Sequence, residues 1–189
     1  VQYLLNKNKV KIFYGEASFK SSKSINILSK DNTIKEISSE NICIASGGRP
    51  REISGISNPN SVWFYKEALQ VDKIPNKLLV VGSGAIGVEF ASFFAQMGSD
   101  VSLLESKSTI LPNEDLDVSN FVEKQFLNRG IKIYKNHSLL SFREKGELFE
   151  AELKSKDKML SLDFEKAILA VGIVGNIENL NLEAVNIKC

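Results

Sequence analysis

Three glycines and one carboxylate stand out in this chain. Gly82, Ser83, Gly84, Ala85, Ile86 and Gly87 spell G-x-G-x-x-G, and Glu105 follows about twenty residues later. That pattern suits a dinucleotide. The first glycine permits a tight turn out of a strand, the second lets the backbone approach a pyrophosphate, and the third lets a helix pack closely on the strand. A helix starting here presents unpaired N–H groups and the positive end of its dipole to the phosphates. Glu105 is placed to accept hydrogen bonds from the adenosine ribose hydroxyls. The competing reading is a glycine turn inside an ordinary βαβ unit.

The flanking sequence supplies the elements such a site needs. Residues 78–81 are a short apolar run and read as a buried strand. Residues 88–97 carry helical spacing, with Gly98 placed to end the helix. Residues 101–104 make a second strand that ends on Glu105. Beyond it, Pro112, Asn113, Glu114 and Asp115 precede a second helix, in which Val118, Phe121, Val122 and Phe126 share one face and Gly130 is the stop. The early acids favour the positive end of that helix. Residues 131–134 are the third parallel strand. Residues 139–142, 148–153, 159–164 and 167–171 read as further strands, with Gly146 and Lys156-Asp157 at the turns.

Glu105 also bears on which dinucleotide fits. A 2′-phosphate at ~4 Å from this carboxylate meets a repulsion of about 4 kcal/mol at an effective dielectric of ~20. The turn after the second strand holds no arginine, although Lys107 offsets part of the repulsion. NAD is expected over NADP.

The chain has 189 residues, 43% hydrophobic and 25% charged, enough for a soluble core. Its net charge of +1 gives no footprint for nucleic acid, and the longest apolar runs are too short to span a membrane. Val1 opens without an export leader, and Cys43 and Cys189 form no metal cluster, so the cytoplasm is the expected compartment. Cys43 reads as a buried strand thiol, and Cys189 as exposed. His137, the only histidine, reads as a surface-loop residue with no metal or triad role.

The first fifty residues look like strands, over 10–14, 17–19, 24–28, 33–37 and 41–45, with Asp31-Asn32 as a hairpin turn. A loop rich in Ser, Asn, Pro and Gly runs from 51 to 61, and residues 63–69 are expected to form a short helical turn with a packing aromatic trio.

Assembled, these pieces resemble the pyridine nucleotide-disulfide oxidoreductases over essentially the whole chain, and within them the dihydrolipoamide dehydrogenase branch. The strings that carry the likeness are Ile44-Ala45-Ser46-Gly47-Gly48-Arg49-Pro50, Trp63-Phe64-Tyr65-Lys66-Glu67-Ala68-Leu69 and the segment 82–91. Ile110-Leu111-Pro112 with Asp115, and Ala170-Val171-Gly172, complete them. The implied fold class is α/β. A Rossmann-like parallel βαβαβ core carries an antiparallel β-meander, and a β-meander segment of an incomplete FAD domain precedes it. Residues 1–50 would be the partial FAD-binding domain, 51–70 a connecting segment, and 71–189 the NAD-binding domain with the start of the return to the FAD domain.

The resemblance also implies site residues. Gly82, Gly84 and Gly87 match the pyrophosphate turn and Glu105 the ribose acid. Glu89 matches a carboxylate near the nicotinamide, with a solvated or capping glutamate as the alternative. Leu139 matches a residue that packs on the adenine, and Gly172 a loop glycine beside the nicotinamide ribose. Gly15, Ser46, Gly47 and Gly48 match FAD contacts. Ser46 stands where the family usually has threonine, and Ile173-Val174-Gly175-Asn176 replaces a segment that often holds arginine and proline. The first flavin glycine motif, the C-x-x-x-x-C redox pair, the later flavin string and the C-terminal His-Glu segment are missing. The sequence therefore reads as a fragment without catalytic residues, expected to bind NAD(H). In the full-length protein, FAD, a homodimer partner and the 2-oxo acid dehydrogenase complexes would join it. Two alternatives stay open: a stand-alone NAD(H)-sensing module and a sister NAD(P)H-dependent disulfide reductase. The flavin string weighs against the first and Glu105 against the second.

Overall fold

Leu78, Leu79, Val80 and Val81 are buried in succession, at 1%, 1%, 0% and 4% exposure. An apolar run without alternation belongs to a parallel strand covered on both faces. The computed structural model describes residues 1–54, 56, 60–156 and 158–188, and it bears out this reading. The run lies in the central strand of a five-stranded parallel sheet.

In chain order the elements are α1 (Gln2–Lys7), β1 (Glu16–Ser21), β2 (Ser24–Leu28), β3 (Ile34–Ser38), β4 (Gly48–Pro50), β5 (Val62–Trp63) and α2 (Tyr65–Ala68). Then follow β6 (Lys77–Val81), α3 (Ala85–Gln96), β7 (Asp100–Leu104), α4 (Leu116–Asn128) and β8 (Lys132–Tyr134). The chain continues with β9 (Ser138–Lys145), β10 (Leu148–Ser155), β11 (Lys158–Phe164), β12 (Lys166–Leu169), β13 (Ile173–Gly175) and a 3-10 turn, Leu182–Val185. They divide into two compact units: residues 49–174, and residues 1–48 with the chain from Gly175 onward.

In the larger unit the parallel sheet runs β5-β12-β6-β7-β8. The chain leaves β6 through α3 to β7 and through α4 to β8, then returns through an antiparallel β9-β10-β11 sheet to β12 on the other side of β6. Strand order thus reverses at β6, the place where open α/β sheets bind ligands beyond the strand C-termini. Alternate residues sort to the two faces. Leu78, Val80, Val101, Leu103 and Ile168 pack with Ala91 and Phe94 of α3 and Phe126 of α4. Leu79, Val81, Ala167 and Leu169 pack with Phe142, Ala151, Leu153 and Phe164 of the antiparallel sheet. The result is three layers of helices, parallel sheet and antiparallel sheet, with an apolar core on each side of the parallel one. No described helix is long and apolar enough to cross a membrane.

The expected βαβαβ core and meander are present with ends shifted by a residue or a few. Asp115 caps α4, its Oδ1 accepting from the Asp117 N–H at 2.8 Å. Residues 63–69 differ in part: Trp63 ends β5 beside β12, and only Tyr65–Ala68 is helical. Glu67 fixes that helix start by accepting from the Phe64 N–H at 2.9 Å. In the turn between β10 and β11, Asp157 lies outside the described residues, as do parts of the loop from 51 to 61.

The smaller unit holds the antiparallel sheet β1-β2-β3, joined at the expected Asp31-Asn32 turn. Two strand expectations fail here. Residues 10–14 and 41–45 have no strand pairing among the described residues, and residues 2–7 form a short helix that buries nothing. Alternating apolar residues suit a strand, but a strand exists only where a neighbour takes its N–H and C=O groups. Cys43 is accordingly exposed rather than a buried strand thiol. Cys189 lies outside the described residues.

Candidate functional site

The glycine turn leaves β6 at the switch point and enters α3. Two of its glycines are explained by the protein itself. Gly82 has φ +97° and a Cβ there would stand 2.4 Å from the Ala170 carbonyl oxygen. At Gly87 a Cβ would stand 1.9 Å from the Gly82 oxygen, where the helix presses on the strand. Gly84 is different. Its φ of −68° and ψ of −177° suit any residue, and nothing lies within 4 Å of the Cβ it lacks. No side chain caps the α3 start that follows it. An uncapped N-terminus of a twelve-residue helix, with open space over a glycine the fold does not require, suits an anion held by backbone N–H groups.

Glu105 closes the other side. It leaves the C-terminal end of β7 with 6% exposure and is bound on both oxygens. Oε2 accepts from the Ser83 N–H at 3.1 Å and the Ser83 hydroxyl at 2.6 Å. Oε1 accepts from the Lys107 N–H at 2.8 Å and the Ser106 hydroxyl at 3.2 Å. Burial alone would push this carboxyl up. The donors from Ser83, Lys107 and Ser106 outweigh burial and hold it below its ordinary value of 4.5. Four donors fill the lone-pair sites of one carboxylate, so an incoming hydroxyl must replace one of them. The Ser106 hydroxyl is the longest of the four and sits on an exposed residue, so it rehydrates at least cost.

Ser83 also ties down the loop after β7. Its carbonyl accepts from the Leu111 N–H at 2.8 Å, and the Leu111 carbonyl accepts from the buried Ser119 hydroxyl at 3.2 Å. Leu111 has φ +46°, a left-handed conformation uncommon for leucine. The Ile110-Leu111-Pro112 string thus serves to anchor the turn.

A cleft of about 180 Å³ opens beside these groups, bordered by Gly82, Glu105, Ser106, His137, Leu139 and Ile53 among others. It brings together Gly82, Glu105 and Leu139, with Ser83 bonded behind them, whereas Ala85, Ile86 and Gly87 form the adjoining helix start. Glu89 is exposed on α3 and lines a different, larger and mainly apolar cavity with Phe90 and Phe93. Gly172 follows β12 on the surface, its carbonyl accepting from the Arg51 N–H at 2.9 Å.

The remaining residues lie in the smaller unit. Gly15 abuts β2, where a Cβ would meet the Leu28 carbonyl oxygen at 2.5 Å. Asn176 binds the Ser46-Gly47 string, its amide side chain donating to Ser46 O at 3.1 Å and its N–H to Gly47 O at 3.0 Å. Gly48 begins β4.

Sequence reasoning missed the Ser106 hydroxyl and the place of His137, and named Lys107 for its charge rather than for its main-chain N–H. Ser106 and Lys107 act through a hydroxyl and a main-chain N–H that no motif marks. His137 is in a loop, as expected, but half-buried beside Glu105 rather than on the open surface.

Known proteins share both sequence and fold. The chain is 38% identical over its whole length to the dihydrolipoyl dehydrogenases of Zymomonas mobilis and Rhizobium etli, covering 41% and 42% of their lengths. Among solved structures, the HOCl-induced flavoprotein disulfide reductase RclA of Escherichia coli matches 99% of the chain at 27% identity and a TM-score of 0.77. The chain covers 43% of it. LpdA of Mycobacterium tuberculosis shares the fold at a TM-score of 0.84 and 24% identity, with 99% of this chain matching 42% of that one. The family model for pyridine nucleotide-disulphide oxidoreductases spans residues 1–189, so the glycine turn and its acid sit in a frame shared from end to end, and the chain belongs to that family.

Proposed function

We propose that residues 49–174 bind NAD(H), as the nucleotide-binding portion of a longer flavin-dependent dihydrolipoyl dehydrogenase. The carrying observation is Gly84. The fold gives no reason for a glycine there, and the space over it adjoins the free N–H groups of α3. A pyrophosphate supplies the reason. Glu105, bonded in place at the end of β7, then takes the adenosine ribose, and its negative charge disfavours a 2′-phosphate. Leu139 offers an apolar wall for the adenine.

NAD⁺, when bound, accepts a hydride. This unit's own part is to hold the phosphates on main-chain N–H groups, orient the ribose and favour the dinucleotide without a 2′-phosphate. Residues 1–48 with the chain from Gly175 onward are read as part of an FAD domain, with Gly15 and the Ser46-Gly47-Gly48 string as its flavin contacts. The identity to dihydrolipoyl dehydrogenases supports dihydrolipoamide as the dithiol substrate, 2-oxo acid dehydrogenase complexes and a second copy as partners, and a cytoplasmic setting.

The test is calorimetric titration of the 189-residue chain with NADH and with NADPH. NADH is expected to bind, with NADPH at least tenfold weaker, about 1.4 kcal/mol. Absence of NADH binding overturns the nucleotide reading, and equal affinities overturn the preference for NAD.

A further inference from the structure

We infer that His137 is a specificity-determining residue of the adenosine cleft, contributing a fixed hydrogen-bond acceptor beside Glu105. This rests on the proposal that the cleft takes the adenosine half of NAD(H). His137 borders the same cleft as Glu105 and Leu139. The backbone on either side is tied to the strand and loop that carry the acid. The His137 N–H donates to the Glu105 carbonyl at 3.1 Å, and the Asn136 N–H to the Lys107 carbonyl at 3.0 Å.

The ring itself is held twice. Nδ1 lies 2.7 Å from the Lys135 carbonyl oxygen, and the ring meets Tyr134 edge-on, with centroids 6.2 Å apart. A carbonyl only accepts, so the ring proton is assigned to Nδ1. In the neutral ring this leaves Nε2 as a lone-pair acceptor, and no described group donates to it. Glu105 is likewise acceptor-only, the Ser106 hydroxyl beside it is already turned to Glu105 Oε1, and Ser138 adds a hydroxyl that can donate or accept. The two acceptors match the donors of a ligand. Adenosine has a ribose diol and an exocyclic amine, whereas a 2′-phosphate brings only further acceptors. Leu139 and Ile53 add apolar walls that suit the flat faces of a base.

The test uses the 189-residue chain and its variants at pH 8, titrated with NADH, ADP-ribose and reduced nicotinamide mononucleotide, which lacks the adenosine. His137→Ala is expected to weaken NADH and ADP-ribose by a common factor of roughly five to ten, the range for one lost hydrogen bond, and to leave the mononucleotide unchanged. His137→Asn keeps a donor for the Lys135 carbonyl but has no group at Nε2, and is expected to lose as much as the alanine variant. His137→Gln, which reaches the Nε2 position, is expected to recover most of the affinity. Wild-type affinity in the asparagine variant overturns the proposal, because the histidine would then act only by anchoring its loop. Equal weakening of all three ligands overturns it too, as a general collapse of the turn. Failure of the wild-type chain to bind NADH overturns the nucleotide reading itself, a separate result.

Discussion

Gly84 and Gly87 are the same residue in one motif, held there by opposite causes. A Cβ at Gly87 strikes the Gly82 carbonyl oxygen at 1.9 Å, so Gly87→Ala must push α3 off the sheet. Gly84→Ala adds a methyl to open space at a φ that alanine adopts. Chemical denaturation should therefore show Gly84→Ala within about 0.5 kcal/mol of wild type, as for surface changes, while Gly87→Ala loses several-fold more. NADH affinity should nonetheless fall at least tenfold in Gly84→Ala, and an unchanged affinity would remove the reason given for that glycine. Glu105 links site to stability. Its carboxyl is held below 4.5 in the folded chain, so on acidification the unfolded chain takes up the proton first. Stability from this group is complete above the ordinary value and is lost as pH falls through the folded one. In Glu105→Gln one amide donor faces the Lys107 N–H or the Ser83 donors, and stability at neutral pH should drop by about 1–3 kcal/mol. The gap between wild type and variant should narrow as pH falls below about 4.5, and a constant gap contradicts the assignment.

The elements that position these residues owe their stability to packing on both faces of the parallel sheet. Phe94 is fully buried at its helix-side centre, edge-on to Phe93 at 5.2 Å and 6.4 Å from Trp63. Phe94→Ala should cost about 3–5 kcal/mol in urea denaturation, and a loss below ~1 kcal/mol would show that the site collapses to fill the cavity. This part of the fold was legible because its signals are local. The buried run 78–81, the helical spacing after it, and Gly98 and Gly130 each mark an element within a few residues. The smaller unit was less legible because alternation marks a segment able to pair, not whether a neighbouring strand is there to receive it. Residues 10–14 and 41–45 alternate as well as β1–β3 do but find no strand to pair with among the described residues. The site shows the same divide. The glycines and Glu105 declare themselves by spacing, whereas Ser106 and Lys107 bind Glu105 through a hydroxyl and a main-chain N–H common to any turn, and His137 meets it only after the chain has folded.

At the scale of the whole molecule, the two units differ in how they are made. Residues 49–174 are one continuous stretch with two apolar cores. The other unit combines two stretches of chain, and its described residues contribute only Phe19, Ile27 and Leu182 to the buried apolar set. Its extra chain crossing is held by Phe19, whose N–H donates to Leu180 O and whose carbonyl accepts from the Asn181 side chain, both at 2.8 Å. Every residue assigned to the dinucleotide, from Ile53 through Gly82, Glu105 and His137 to Gly172, comes from the continuous stretch. That stretch carries its own core and closes its own sheet, which is what independent folding requires. Expressed alone, residues 49–174 should keep a folded circular dichroism spectrum and bind NADH within about threefold of the full chain, since contacts outside a site seldom shift it further. Calorimetry on the excised piece checks this. A folded piece that no longer binds would mean that the smaller unit supplies part of the nucleotide site.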